Sequence, residues 1–156
     1  MTTSTAASVE QLAATTSAHS TGGMEIAGPR FLYMSHGCTT PLYRWRLVGA
    51  NNRPIANGWG SHDSLAACEA SVRDLRDRVI AGQADRVADL GSGLWSWRFE
   101  VDGKRVAVSA RSYHRQRECT YNADAFIAAV PIATAPTTVL VLPHRTLGLI
   151  RSVVAS

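Results

Sequence analysis

The feature that most constrains this chain is a small unit written twice, at about residues 43 to 81 and again at 95 to 130. A unit of that size cannot bury a stable core alone and must complete it with its twin. Tyr43-Arg44-Trp45-Arg46-Leu47 is echoed by Trp95-Ser96-Trp97-Arg98-Phe99. In both segments large apolar side chains take alternate positions and arginine falls between them, the pattern of a strand with one buried face. A turn signal follows, Asn51-Asn52-Arg53-Pro54 in the first copy and Asp102-Gly103 in the second; the latter is a strong two-residue hairpin connection. Each turn leads into a further short strand, Ile55 to Gly58 and Val106 to Ser109. Each copy therefore predicts a hairpin whose aromatic face needs a cover.

That cover comes next. Ser64 or Asp63 can cap a helix whose apolar positions Leu65, Cys68, Val72, Leu75 and Val79 step by three and four, forming one stripe. Cys119, Ala123, Phe126 and Val130 lie 51 residues after the last four, while Gln116 replaces Leu65. Gly82 is expected to end the first helix through a left-handed cap, and Pro131 to stop the second. Glu69 with Arg73, Arg73 with Asp77, and Asp74 with Arg78 are spaced to pair on the exposed side. Burying four or five such side chains contributes roughly 1.5 to 3 kcal/mol each, whereas ordering about 40 residues costs roughly 1.5 kcal/mol per residue. One copy alone should not fold. Two hairpins joined edge to edge, with both helices on one face, merge two thin cores into one.

The order of aromatic-Arg-Trp-Arg-Leu, an Asn-rich turn, Ile-Ala, Ser and a helix bearing Ala-Ala-Cys, at residues 43 to 79 and repeated downstream, resembles the YegP-like family of small uncharacterised domains. The resemblance covers about residues 30 to 130. It implies a unit of three strands, a helix and a further strand, and a single sheet with exchanged final strands. Phe31 to Met34 then looks like the first strand, Arg86 to Leu90 like the last strand of copy one, and Thr137 to Leu142 like that of copy two. Only Gly91, Ser92 and Gly93 separate Leu90 from the Trp95 segment, so the second copy's own first strand is either missing or shared. The family brings no established activity, catalytic residue or cofactor. The expected class is α+β: two layers, with a single mainly antiparallel sheet from a tandem repeat and two helices packed on one face.

At 156 residues, the chain has the size of one domain with loose ends. Residues 1–28, rich in Ser, Thr, Ala and Gly, cannot bury enough surface to offset ordering and are expected to be a disordered tail. The two repeats then occupy 29–90 and 91–143, and 144–156 is an apolar extension. The start lacks the basic and unbroken apolar stretches of an export signal. Val139 to Val154 is interrupted by Pro143, His144, Arg145 and Arg151, so no membrane span is expected. Cys38, Cys68 and Cys119 are odd in number and far apart, which argues for reduced thiols and a cytoplasmic protein. The net charge of +4 rests on arginine, Lys104 being the only lysine; such basicity is weak evidence for nucleic acid.

Catalytic signatures are absent from the sequence: no phosphate loop, no dinucleotide fingerprint, no nucleophile elbow. His36 and Cys38 offer only two metal ligands, and no metal or cofactor is expected. Cys68 and Cys119 fall on the apolar helix stripes, where cysteine packs as a small hydrophobe. His62 and His114 flank the helix starts without a carboxylate spaced to orient them. Trp45 and Trp97 belong to the core, and Trp59, between Gly58 and Gly60, is the tryptophan expected at the surface.

Arg44, Arg46 and Arg98 alternate with the buried aromatics and should project from the uncovered sheet face, flanked by Arg53 and Arg105 from the hairpin turns. These residues, with Trp59, predict a non-enzymatic interaction module that binds a macromolecule through an exposed sheet face or edge, protein ahead of nucleic acid. Binding of nucleic acid by the arginine face is one alternative. Self-association through the apolar segment Ile132 to Ser156 is another, structural one. An enzyme using Tyr113 or His114 near the second helix start is a third class of reading.

Overall fold

The computed structural model describes residues 28–37, 39–135 and 138–142. Its elements follow one another as β1 (Arg30–His36), β2 (Leu42–Val48), β3 (Pro54–Gly58), α1 (Leu65–Arg78), β4 (Gln83–Ala88), β5 (Trp95–Val101), β6 (Lys104–Ser109), α2 (Gln116–Ala129) and β7 (Val139–Val141). A 3-10 turn, Val79–Ala81, extends α1. The strands form one sheet in the order β4, β5, β6, β3, β2, β1, β7. Every neighbouring pair is antiparallel except β1 with β7, which is parallel. Both helices pack against this sheet, so the chain has the expected α+β architecture.

Strand alternation produces the buried face. Phe31, Tyr33, Trp45, Leu47, Ala56, Trp97, Phe99 and Ala107 are almost wholly buried and meet the helix stripes Cys68, Val72, Leu75, Val79 and Cys119, Ala123, Phe126, Val130 in one cluster. Leu65 is only half-buried at the start of α1. Phe126 packs 4.8 Å from the Trp97 ring and 5.2 Å from Phe99, and Phe31 meets Trp45 edge-on at 5.4 Å. Such pairs contribute about 0.5–1.5 kcal/mol beyond the area they bury. Arg76 of α1 stacks over Phe31 and donates to the Ala133 carbonyl, tying the first helix to the segment after the second.

At the centre, Ala56 pairs with Ser109, Asn57 with Val108, and Gly58 with Ala107. Residues 56, 57 and 58 correspond to 107, 108 and 109 in the repeat, so this seam is its own twofold image about an axis between Asn57 and Val108. Other features recur in the same relation. Trp59 N–H donates to the Val106 carbonyl and Ala110 N–H to that of Ile55. Tyr43 bridges His62 as Trp95 bridges Tyr113. The ladder slips after Leu47 and after Phe99. Trp45 and Trp97 therefore occupy equivalent places in one sheet.

Three sequence expectations change. The strand placed at Arg86 to Leu90 is β4, Gln83–Ala88; Leu90 is 98% exposed in a turn where Asp89 N–H bonds the Leu94 carbonyl. The strand is shared. Ala84 faces Phe99 and Arg86 faces Trp97 as Phe31 faces Leu47 and Tyr33 faces Trp45, so β4 closes the first copy in sequence and opens the second in space. The six residues between β4 and β5, 89–94, are taken up by that turn and leave no room for another strand. Gly82 is not left-handed, having φ −86° and ψ 167°; a Cβ there would overlap the Phe99 ring. Of the three helix charge pairs, Asp74–Arg78 closes at 3.3 Å, and Arg78 also meets Asp102. The other two do not close, because Arg73 and its neighbours lie on a solvated surface where holding long side chains gains little.

The two-residue turn Asp102-Gly103 forms as read, with φ 51° and 72°, the left-handed pair that suits a twisted hairpin. Cys38, Pro136, Thr137 and residues 1–27 and 143–156 lie outside the described residues, and with them most of the expected tail, the start of the strand expected from Thr137 and the whole C-terminal extension.

Candidate interaction face

The sheet face turned from the helices is organised by register. Reading across six strands, Leu32, Arg46, Asn57, Val108, Arg98 and Asp85 are direct cross-strand partners in one row. The pseudo-twofold axis passes through its middle, so Arg46 and Arg98 are symmetry mates. Three strand spacings separate them, roughly 14 Å.

Arg46 is held in place, its Nε donating to Asn57 Oδ1 at 2.9 Å. Burial holds its guanidinium pKa below the usual arginine value. Arg44, two residues earlier on the same face, donates from Nε to Ser61 Oγ at 2.8 Å. Beneath them Met34 and Val48 are buried at 6% and 3% exposure yet stand outside the helix-side core; Met34 is Arg44's cross-strand partner. Arg44 and Arg46, both half-buried, stand beside this apolar floor, which the stems of long cationic side chains suit.

Arg105 stacks 4.4 Å over Trp59, which is 39% exposed, and its Nε lies 4.0 Å from Glu100. Cross-strand ladders thus join Arg46 and Arg98, with Arg44 beside Arg46, and stacking joins Arg105 to Trp59. Arg53 stands apart, exposed in the β2–β3 turn, where it lines a groove of about 580 Å³ with Arg111, Tyr113, Glu118 and Asn122. Sequence reasoning missed Asn57, Val108, Asp85 and Glu100. Asn57 and Val108 are legible as the outward members of alternating strands; Asp85 is not, because it precedes the strand that the sequence predicts from Arg86.

The reactive groups are muted. Burial pushes the Cys68 thiol up to about 11, with Glu69 adding to the effect. It also raises Cys119, against the opposing charge of Arg86. Tyr113 is raised by burial, Arg111 opposing, and its buried hydroxyl has no partner at hydrogen-bond geometry among the described residues. His114 is exposed and does not line the groove that Tyr113 lines, so these two side chains are not brought together. Burial, then the Arg44 charge, lower the His36 pKa. Among the described residues no three His, Cys, Asp or Glu side chains converge as metal ligands, and no helix is long and apolar enough to cross a membrane.

No protein-family model matches the sequence, and neither does any curated protein. Two solved structures share the fold. One is a UPF0339 protein from Shewanella oneidensis, with a TM-score of 0.56 and 8% identity over 73% of this chain and 94% of that one. The other is the protein of unknown function YegP from E. coli, with a TM-score of 0.50 and 15% identity over 72% and 92%. At these identities the likeness carries the fold alone, and that fold is the YegP-like one the motifs resembled.

Proposed function

We propose that this chain is a non-enzymatic binding module that presents the open face of its sheet to another protein. The observation that carries the reading is the twofold row with Arg46 and Arg98 set symmetrically about Asn57 and Val108. Its two arginines stand in the same row of one sheet, three strands apart, and Arg46 is already oriented by a hydrogen bond. A contact surface built this way loses little side-chain freedom on association. Burial that raises the Cys68 and Cys119 thiols supports binding over nucleophilic chemistry at those two positions.

A protein partner is favoured over nucleic acid because carboxylates interrupt the basic field. Asp85 is the cross-strand partner of Arg98, and Glu100 lies beside Arg105. A phosphate backbone crossing the row would meet both. The test is capture from the native host by the full chain and by an Arg46→Ala/Arg98→Ala double variant, each with and without nuclease. The expected result is a protein retained after nuclease treatment and lost, by at least about tenfold in affinity, in the double variant. Capture abolished by nuclease, with salt dependence shallower by about two units in the variant, assigns the face to nucleic acid instead. Retention indifferent to both changes removes the face from the function.

A further inference from the structure

We propose that the outer edge of β4 is a docking seat for an extended segment of another protein, running parallel to β4 and carrying a carboxylate opposite Arg86. The inference is separate from the face reading and rests on the pseudo-symmetry of the edges. β1 and β4 are equivalent strands, Phe31, Tyr33 and Ser35 matching Ala84, Arg86 and Ala88 in register. On β1 these residues turn their backbone groups outward and are paired: Phe31 N–H donates to Thr134, and the Ser35 carbonyl accepts from Leu142. β7 fills that seat in parallel, Val139 facing Tyr33 and Leu140 facing Met34.

On β4 the alternation has the same phase. Asp89 turns its N–H and carbonyl inward, to Leu94 and Gly93, so Ala84, Arg86 and Ala88 turn theirs out. Among the described residues no strand lies beyond β4. The strand that would have filled this place by symmetry is the one following α1, and that is β4 itself. Two strands have merged into one, and among the described residues one seat is left without its occupant.

Chemistry selects the occupant. Arg86 stands where β1 has the buried Tyr33, and Val87 where β1 has Met34. A parallel segment therefore meets a cation where Val139 meets a phenol, and an apolar side chain where Leu140 does; the matching sequence has an acidic residue followed by an apolar one. A second copy is a poor occupant. Antiparallel self-pairing centred on the strand sets Arg86 against Arg86 or Asp85 against Asp85, and like charges directly opposite repel.

The test uses the full chain and two synthetic peptides of residues 133–142, one with the natural sequence and one carrying Val139→Glu. The expected result is that the Val139→Glu peptide binds more tightly and shifts the amide signals of Ala84, Arg86 and Ala88. Arg86→Glu should weaken its binding by about fivefold or more. Arg86→Pro, which removes an outward N–H and leaves the β5 ladder whole, should abolish binding. An Arg46→Ala/Arg98→Ala variant should bind it unchanged, so a failure here and a failure of the face reading are distinguishable. Any of four results overturns the proposal: neither peptide shifts those amides; the shifts fall on Phe31, Tyr33 and Ser35; the same amides are already protected from exchange in the free chain; or a dimer dissociates on Arg86→Pro.

Discussion

Gly82 sits where a methyl group has no room. Its backbone angles suit any residue, so the reason for glycine lies in tertiary packing: a Cβ would enter the Phe99 ring and approach the Glu100 carbonyl to 3.1 Å. Gly82→Ala should therefore lower stability by about 1–3 kcal/mol, the range for overpacking a tight site, read as a fall in urea midpoint at constant slope. The local sequence could not reveal this. A glycine at a helix end is commonly a left-handed cap, and only the neighbour from the next strand shows otherwise. By contrast the burial of Trp45 and Trp97 was legible, because alternation with Arg44, Arg46 and Arg98 fixes which side each faces. Gly58 shows the same kind of close approach, a Cβ there coming within 2.6 Å of the Trp45 ring, while its counterpart Ser109 accepts a hydrogen bond from Trp97 N–H.

At the scale of elements the two helices differ in how they begin. Ser64 caps α1, its Oγ accepting from Ala67 N–H at 3.1 Å, whereas Arg115 at the same place on α2 has no side-chain cap. Ser64→Ala should cost about 1 kcal/mol, and Arg115→Ser, which places a hydroxyl three residues before Glu118, should gain about 0.5–1 kcal/mol; thermal unfolding of both variants checks the pair. The helices themselves were readable from their stripes. What escaped was β4, whose sequence Gln-Ala-Asp-Arg-Val-Ala lacks the bulky alternation of the other strands and whose pairing depends on a neighbour chosen by topology. With it went Asp85, and so one end of the row across the open face.

The whole molecule is built on a shared seam. The β3–β6 ladder joins the halves, β4 of one half pairs with β5 of the other, and β7 returns to β1. Residues 28–82 alone keep α1 and three strands but lose both exchanges, so that fragment should show no cooperative transition, while the full chain should lose tryptophan fluorescence and helical circular dichroism together. Coincident transitions in the full chain beside a folded, cooperative fragment would refute the shared core. The return of β7 also bears on synthesis. β1 leaves the ribosome about a hundred residues before the strand that seals its flank, an interval of roughly 5 to 20 s at ordinary elongation speeds. Throughout that time a nascent chain exposes the backbone of Phe31, Tyr33 and Ser35 to whatever else is being made nearby, and a message broken before the codon for Val139 yields a product that never covers them.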